Sequence, residues 1–208
     1  MPRGENVLEA APMSEVGRER WRLFVALELP AQVKEGLATL QDDLRSQGLG
    51  RLRWVRPEGI HLTLKFLGET PAARVQGIAD ALREAAAGTG AIALALDGLG
   101  TFGNRRGPRV LWVGLAGDLE RLSRLQERVE EAMSRLGYPR EGRPFSPHLT
   151  LARVPEEEMR RCAPLVERAV AKAAVPAVTM SLSELCLMRS HLRPSGAVYE
   201  RVAAFALA

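Results

Sequence analysis

Apolar residues recur along the chain with two periods, and the switches between them mark out the elements. Arg22–Glu28 (RLFVALE) is dominated by apolar residues and closed by Pro30, which predicts a strand. Val33, Leu37, Leu40 and Leu44 follow at helical spacing, and Gly48 ends that helix. Ile60–Leu67 (IHLTLKFL) alternates and predicts a second strand. Arg74–Ala87 predicts a helix opened by Thr70 and Pro71 as cap and first-turn residues. Two strand-like runs come next, Ala91–Leu96 and Arg109–Leu115, joined by a glycine-rich connection. Asp118 is the expected cap of a helix that carries Leu119, Leu122, Leu125, Val129, Met133 and Leu136 on one stripe and stops at Gly137. A turn-rich stretch leads to a short strand, His148–Val154. A helix over about Glu156–Ala174 follows, and Pro164 within its pattern predicts a break or a late start. The end reads as a β-hairpin, Ser181–Met188 and Val198–Phe205, around a turn containing Pro194, Ser195 and Gly196.

The order is therefore β-α-β-α-β-β-α-β-α-β-β. Neighbouring strands without an intervening helix argue against a purely parallel sheet, so the class is α+β. Residues 1–20 mix charge, proline and glycine without a sustained period. They are expected to form a flexible N-terminal tail, with Met13 as a candidate initiator, ahead of a single domain over residues 21–208. No apolar core of a secretory signal is read in the tail.

Composition narrows the class of protein. The 208 residues are 46% apolar and 26% charged, which excludes a chain that is mainly disordered. No run approaches the roughly 18 apolar residues of a spanning helix, so no membrane partner is expected. Cys162 and Cys186 lack CxxC spacing and are read as small hydrophobes in a reducing compartment, the cytoplasm. Net charge is +4, and 26 of the 29 basic residues are arginine. Arginine's planar fork suits phosphate, so this excess is compatible with a nucleic-acid partner, although a GC-rich genome gives the same bias.

The chemistry lies in a repeat. His61-Leu62-Thr63-Leu64 recurs as His148-Leu149-Thr150-Leu151, with the histidines 87 positions apart, in a chain with only three histidines. Arg56-Pro57 and Arg143-Pro144 precede the two copies. On a strand, residues i and i+2 share a face, so each copy presents an imidazole beside a hydroxyl while its leucines point into the core. An unperturbed imidazole titrates near pH 6.5, so one copy can act as general base and the other as general acid. Threonine hydroxyls between them can donate to anionic oxygens, an arrangement that suits a phosphodiester. A metal site on the two histidines lacks a third ligand at recognisable spacing.

With these motifs the chain resembles the 2H phosphoesterases, and specifically the bacterial and archaeal RNA 2′,3′-cyclic phosphodiesterases, also called 2′-5′ RNA ligases. The resemblance runs over about residues 21–205. It includes RLFVALELP, IHLTLKFLGE, PRVLWVGL, FSPHLTLAR and LMRSHLRPSGAVYERV. It implies two lobes related by a pseudo-twofold axis, with antiparallel sheets lining a central cleft and helices outside. It also implies hydrolysis of a terminal RNA 2′,3′-cyclic phosphate, tRNA fragments included, to a 2′-phosphate, with no metal or other cofactor. Carried over residue by residue, His61 is similar to the histidine that protonates the departing 3′ oxygen, and His148 to the one that activates water. Thr63 and Thr150 would hold the non-bridging oxygens, and Arg153 would contact phosphate or ribose.

Other residues carry weaker signals than this pair. Phe24 and Trp54 are candidates for stacking a base or packing the core. His191 reads as a surface residue. Gly98-Leu99-Gly100-Thr101-Phe102-Gly103 matches GxGxxG, but no helix begins after it as a dinucleotide site requires. Its glycines are expected to shape a loop beside the cleft, with Arg105, Arg106 and Arg109 as candidate backbone-phosphate contacts. Two alternatives stay open: a 2H enzyme for a small cyclic nucleotide or ADP-ribose cyclic phosphate, and a non-catalytic RNA-end-binding module. Nothing in the sequence demands more than a monomer.

Overall fold

β1 (Arg20–Glu28) runs between two antiparallel partners, β3 (His61–Pro71) and β8 (Glu184–Arg193), and β9 (Gly196–Ala206) completes a four-stranded sheet in the order β3-β1-β8-β9. The second sheet has five strands in the order β2-β6-β5-β4-β7: β2 (Arg53–Trp54), β4 (Ile92–Asn104), β5 (Gly107–Gly117), β6 (Leu149–Arg153) and β7 (Thr179–Leu182). All pairings are antiparallel. The computed structural model describes residues 19–194 and 196–208. The expected tail therefore lies, up to residue 18, outside the described residues.

The helices are α1 (Ala31–Leu44), α2 (Val75–Ala86), α3 (Leu119–Arg135) and α4 (Met159–Lys172). α2 packs on β8 and β9, α3 on β3, and α4 on β4 and β5. α1 lies against the second sheet, with Gly36 close to Val178 and with Gln41 bonded to Leu151. The predicted stripe of α3 buries Leu122, Leu125, Val129 and Met133, each contributing about 1.5–3 kcal/mol of hydrophobic stabilisation. One core unites both sheets and all four helices.

The two halves correspond. β3, β1 and β8 stand to one another as β6, β5 and β4 do. α1 leaves β1 and packs on the other sheet, and α3 leaves β5 and does the same in reverse. The chain thus has two pseudo-twofold-related lobes, with antiparallel sheets lining a central cleft and helices packed outside. No helix among the described residues is long and apolar enough to cross a membrane.

Several sequence expectations are corrected. The glycine-rich connection is not a loop: β4 continues to Asn104 and forms a long hairpin with β5, with Gly100 and Gly103 accommodating close neighbours. Thr70 belongs to β3, where it is buried and accepts a hydrogen bond from the Tyr138 hydroxyl at 3.2 Å; α2 begins after a 3₁₀ turn and no side chain caps it. The Asp118 carboxylate bonds the Ala93 N–H at 3.2 Å and leaves the end of α3 without a side-chain cap. Ser181–Met188 is two strands rather than one, because the chain changes sheet at Ser183. α4 starts late, at Met159, and runs through Pro164.

Candidate active site

The two HLTL copies occupy equivalent places. Thr63 sits opposite Ala26 while Lys65 sits opposite Val25, so Leu64 is an extra residue in β3. Thr150 sits opposite Trp112 while Ala152 sits opposite Leu111, so Leu151 is the same extra residue in β6. A bulge of this kind reverses the alternation downstream. Leu64 and Lys65 both turn inward, as do Leu151 and Ala152. The residues that emerge on the cleft face after each bulge are Phe66 and Arg153, again 87 positions apart.

Each imidazole is fixed in the same way. His61 Nδ1 lies 2.8 Å from the Gly59 carbonyl, and His148 Nδ1 lies 2.7 Å from that of Ser146. A carbonyl only accepts, so both Nδ1 atoms carry hydrogen and both Nε2 atoms are left for a ligand. The rings then differ in surroundings. His61 is flanked by Phe24, with centroids 4.6 Å apart, and by the edge of Tyr199 at 4.9 Å. Burial there drives its pKa down to about 4, against the Gly59 hydrogen bond and the charge of Glu28, which both raise it. At neutral pH the free His61 is uncharged. His148 meets the edge of Phe102 at 4.7 Å and lies 6.1 Å from the Trp112 ring.

Phe24, Ala26, Cys186 and Met188 form an apolar floor on the cleft face, separate from the main core, with Tyr199 against it. In the other lobe the Trp112 indole lies over Gly100, where any Cβ would collide with the ring. This close approach accounts for glycine at position 100, and at position 103 a Cβ would meet the Gly107 carbonyl across the hairpin. Arg153 is exposed and stands directly opposite Arg53 across the β6–β2 pair. Arg53 reaches the Glu157 carboxylate only at 3.8 Å. Like charges in direct register repel, and an anion lying between them would relieve this.

Two buried side chains hold the motif strands together. Gln41 of α1 donates to the carbonyls of Val55, at 2.9 Å, and Leu151, at 3.1 Å. Val55 N–H in turn donates to Leu151 at 2.9 Å, so the segment leading into His61 is anchored on the strand carrying Thr150. In the other half Lys65 of β3 donates to Glu130 of α3 at 2.8 Å and to the Pro139 carbonyl at 2.9 Å. Glu130 also accepts the Glu141 N–H, which ties the segment leading into His148 to β3. β3 and β6 are themselves in contact.

The profile of the LigT-like phosphoesterase family matches residues 27–112 and again residues 113–199, one match for each half and each containing one HLTL copy. The chain belongs to the LigT-like phosphoesterases. Members of this family are hydrolases, and the named relatives agree. An RNA 2′,3′-cyclic phosphodiesterase of Geobacillus stearothermophilus is 34% identical over 189 residues, which is 91% of this chain and 58% of that one. An enzyme of the same name from Methanothermobacter thermautotrophicus is 31% identical over 89% of this chain and 98% of its own. Among solved structures, a Thermus thermophilus protein superposes with a TM-score of 0.71 at 29% identity, covering 89% of this chain and 97% of that one. Escherichia coli LigT complexed with 3′-AMP does so with a TM-score of 0.70 at 25% identity, covering 90% and 98%.

The remaining sequence candidates of this LigT-like phosphoesterase fall elsewhere. Phe24 is buried beneath Phe66, His61 and Tyr199, so it supports the face without presenting a ring of its own. Trp54 packs against the core, its Nε1 donating to the Leu49 carbonyl at 3.1 Å. Arg105 and Arg106 form the hairpin tip, where Arg106 pairs with Glu156 at 3.3 Å, and Arg109 alternates onto the helix side of the sheet. His191 pairs with Glu200 at 2.8 Å on the outer hairpin. Both cysteines are free and buried, and burial beside Glu28 pushes the Cys186 thiol up to about 11. A cavity of about 470 Å³ between the β4–β5 hairpin and α4 contains none of the motif residues. Sequence reading missed Tyr199, Phe66, Phe102 and Trp112. Phe66, Trp112 and Tyr199 had a signal, each as the one large aromatic of IHLTLKFLGE, PRVLWVGL and LMRSHLRPSGAVYERV, whereas Phe102 lay in the glycine run.

Proposed function

We propose that this phosphoesterase hydrolyses RNA 2′,3′-cyclic phosphate ends to 2′-phosphate ends without a metal, through His61 and His148. The observation that carries this reading is the duplicated geometry: two imidazoles, each with Nδ1 bonded to a carbonyl two residues upstream and Nε2 open, each followed by a threonine on the same face. The RNA 2′,3′-cyclic phosphodiesterases among its relatives supply the substrate class.

In the proposed reaction, Nε2 of His148 takes a proton from water as its oxygen bonds to phosphorus. The P–O3′ bond breaks, and Nε2 of protonated His61 gives its proton to O3′. Thr63 and Thr150 donate to the non-bridging oxygens, and Arg153 balances the phosphate charge. The product is a 2′-phosphomonoester beside a free 3′-hydroxyl. An RNA 5′-hydroxyl in place of water would give a 2′-5′ linkage by the same route. The low proton affinity of the empty His61 runs against an acid role, but a bound phosphate anion favours the imidazolium and offsets it. Residues 21–208 act as one unit in this scheme, as a cytoplasmic monomer.

The test is incubation of the protein and EDTA with an RNA bearing a 2′,3′-cyclic phosphate, followed by identification of the end group. A 2′-phosphate is the expected product. Turnover of only a small cyclic phosphate, or tight binding without turnover, contradicts the proposal and favours a small-molecule 2H enzyme or an RNA-end-binding module respectively.

A further inference from the structure

Three consecutive glutamates follow β6 in a 3₁₀ turn, and each faces an arginine. Glu156 meets Arg106 at 3.3 Å, Glu157 meets Arg53 at 3.8 Å and Glu158 meets Arg51 at 3.2 Å. The outer two contacts are hydrogen bonds, whereas that of Arg53 is too long to be one. Arg53 is also the cation directly opposite Arg153, on the same face of the second sheet. Its backbone is fixed there. The Val55 N–H donates to the Leu151 carbonyl at 2.9 Å, and Trp54 Nε1 to the Leu49 carbonyl at 3.1 Å. The first half is built differently. The repeat places Phe66 where Arg153 stands and Arg140 where Arg53 stands, and Glu131 of α3 holds Arg140 at 2.9 Å. An exposed guanidinium fixed beside a like charge, with its carboxylate too far away to bond it, is open to a displacing anion.

We propose that Arg53 binds the 5′ phosphate of the terminal nucleotide, so that the site grips the RNA chain as well as its end group. This rests on the reaction proposed above, in which Arg153 balances the charge of the reacting phosphate. Neighbouring strands lie about 4.8 Å apart, so Arg53 is placed for the next anion along the chain. In RNA that anion is the phosphate on O5′ of the same ribose. If His61 gives its proton to O3′, that ribose lies toward the segment that carries His61, and β2 begins this segment. Arg153 then stands between two phosphates, and the repulsion between the arginines is relieved. Glu157 yields Arg53 to the phosphate at little cost, because exposed ion pairs are weak. A mononucleotide cyclic phosphate lacks the second anion and gains nothing from Arg53.

Binding of stable ligands tests this contact separately from turnover. Adenosine 2′,5′-bisphosphate and adenosine 2′-monophosphate differ only in the 5′ phosphate. Both are titrated against the wild-type chain, Arg53→Ala and Arg53→Lys. The wild type is expected to prefer the bisphosphate by about tenfold. Arg53→Ala should remove most of that preference while keeping the affinity for the monophosphate, and Arg53→Lys should keep part of it. Equal affinities in the wild type, a preference that survives Arg53→Ala, or equal loss of both ligands overturns the proposal. Turnover of cyclic-phosphate RNA by the same wild-type preparation reports on the reaction itself. The binding pattern without turnover keeps the phosphate contact and removes the reaction, and turnover without the pattern does the opposite.

Discussion

Glu28 stands directly opposite His61 across the β1–β3 pair, with Arg201 bonded to its carboxylate. Its charge raises the proton affinity of the imidazole, yet burial outweighs it, and His61 stays near 4 in the free protein. Three consequences are measurable by NMR titration. The His61 ring titrates well below pH 6.5, Glu28→Gln moves it lower still, and inorganic phosphate moves it up. A free-protein value near 6.5 that phosphate does not shift contradicts this picture.

The same shift links to stability. Unfolded, the ring binds a proton below about pH 6.5; folded, only below about 4. Between those values the unfolded chain holds more protons, so stability falls as pH falls, by up to about 3 kcal/mol. Denaturation at pH 7 and pH 4.5 should show a smaller acid loss in His61→Gln than in the wild type. An equal loss in both assigns the acid sensitivity to other groups.

Lys65 and Glu130 form a nearly dry ion pair, their side chains only 3% and 7% exposed. Removing one partner strands the other charge and is expected to cost about 3–5 kcal/mol, whereas Lys65→Met with Glu130→Leu costs less than either single change. Urea denaturation of the three variants measures this. A double variant worse than both singles refutes the prediction.

Gly100→Ala places a methyl group in the Trp112 indole. Overpacking of this kind is expected to destabilise by about 1–3 kcal/mol and, because Trp112 lies beside Thr150 and near His148, to alter tryptophan emission and lower kcat/KM together. Unchanged stability and emission indicate that the indole does not need that space.

Much of this was legible in the sequence. The α3 stripe and the burial of Leu62 and Leu149 followed from periodicity, and the HLTL copies marked both strands. Strict alternation through IHLTLKFL, however, places Lys65 in the cleft and Phe66 in the core. The bulge at Leu64 inverts both, and neither period nor propensity announces it. The glycine run read as a loop because glycine usually punctuates. In β4, Gly100 is there for what lies across the strand, a tryptophan 12 positions away in the sequence. Tyr199 reaches His61 only through the order of strands in the first sheet, which is a tertiary fact.

Arg153 and Arg53 face each other on the open side of β6. If Arg153 contacts phosphate, Arg153→Ala should raise KM for cyclic-phosphate RNA with little change in kcat, and should reduce the magnitude of the salt slope of binding by about one. An unaltered salt slope excludes the contact.

The central claim is that two equivalent imidazoles carry the chemistry, and single-turnover opening of a 2′,3′-cyclic phosphate RNA by His61→Ala, His148→Ala and the double variant tests it most directly. Each single variant is expected to lose at least about 10²-fold in rate. The double variant should lose far less than the product of the two losses, because the groups act as a unit. A near wild-type rate in either single variant contradicts the claim.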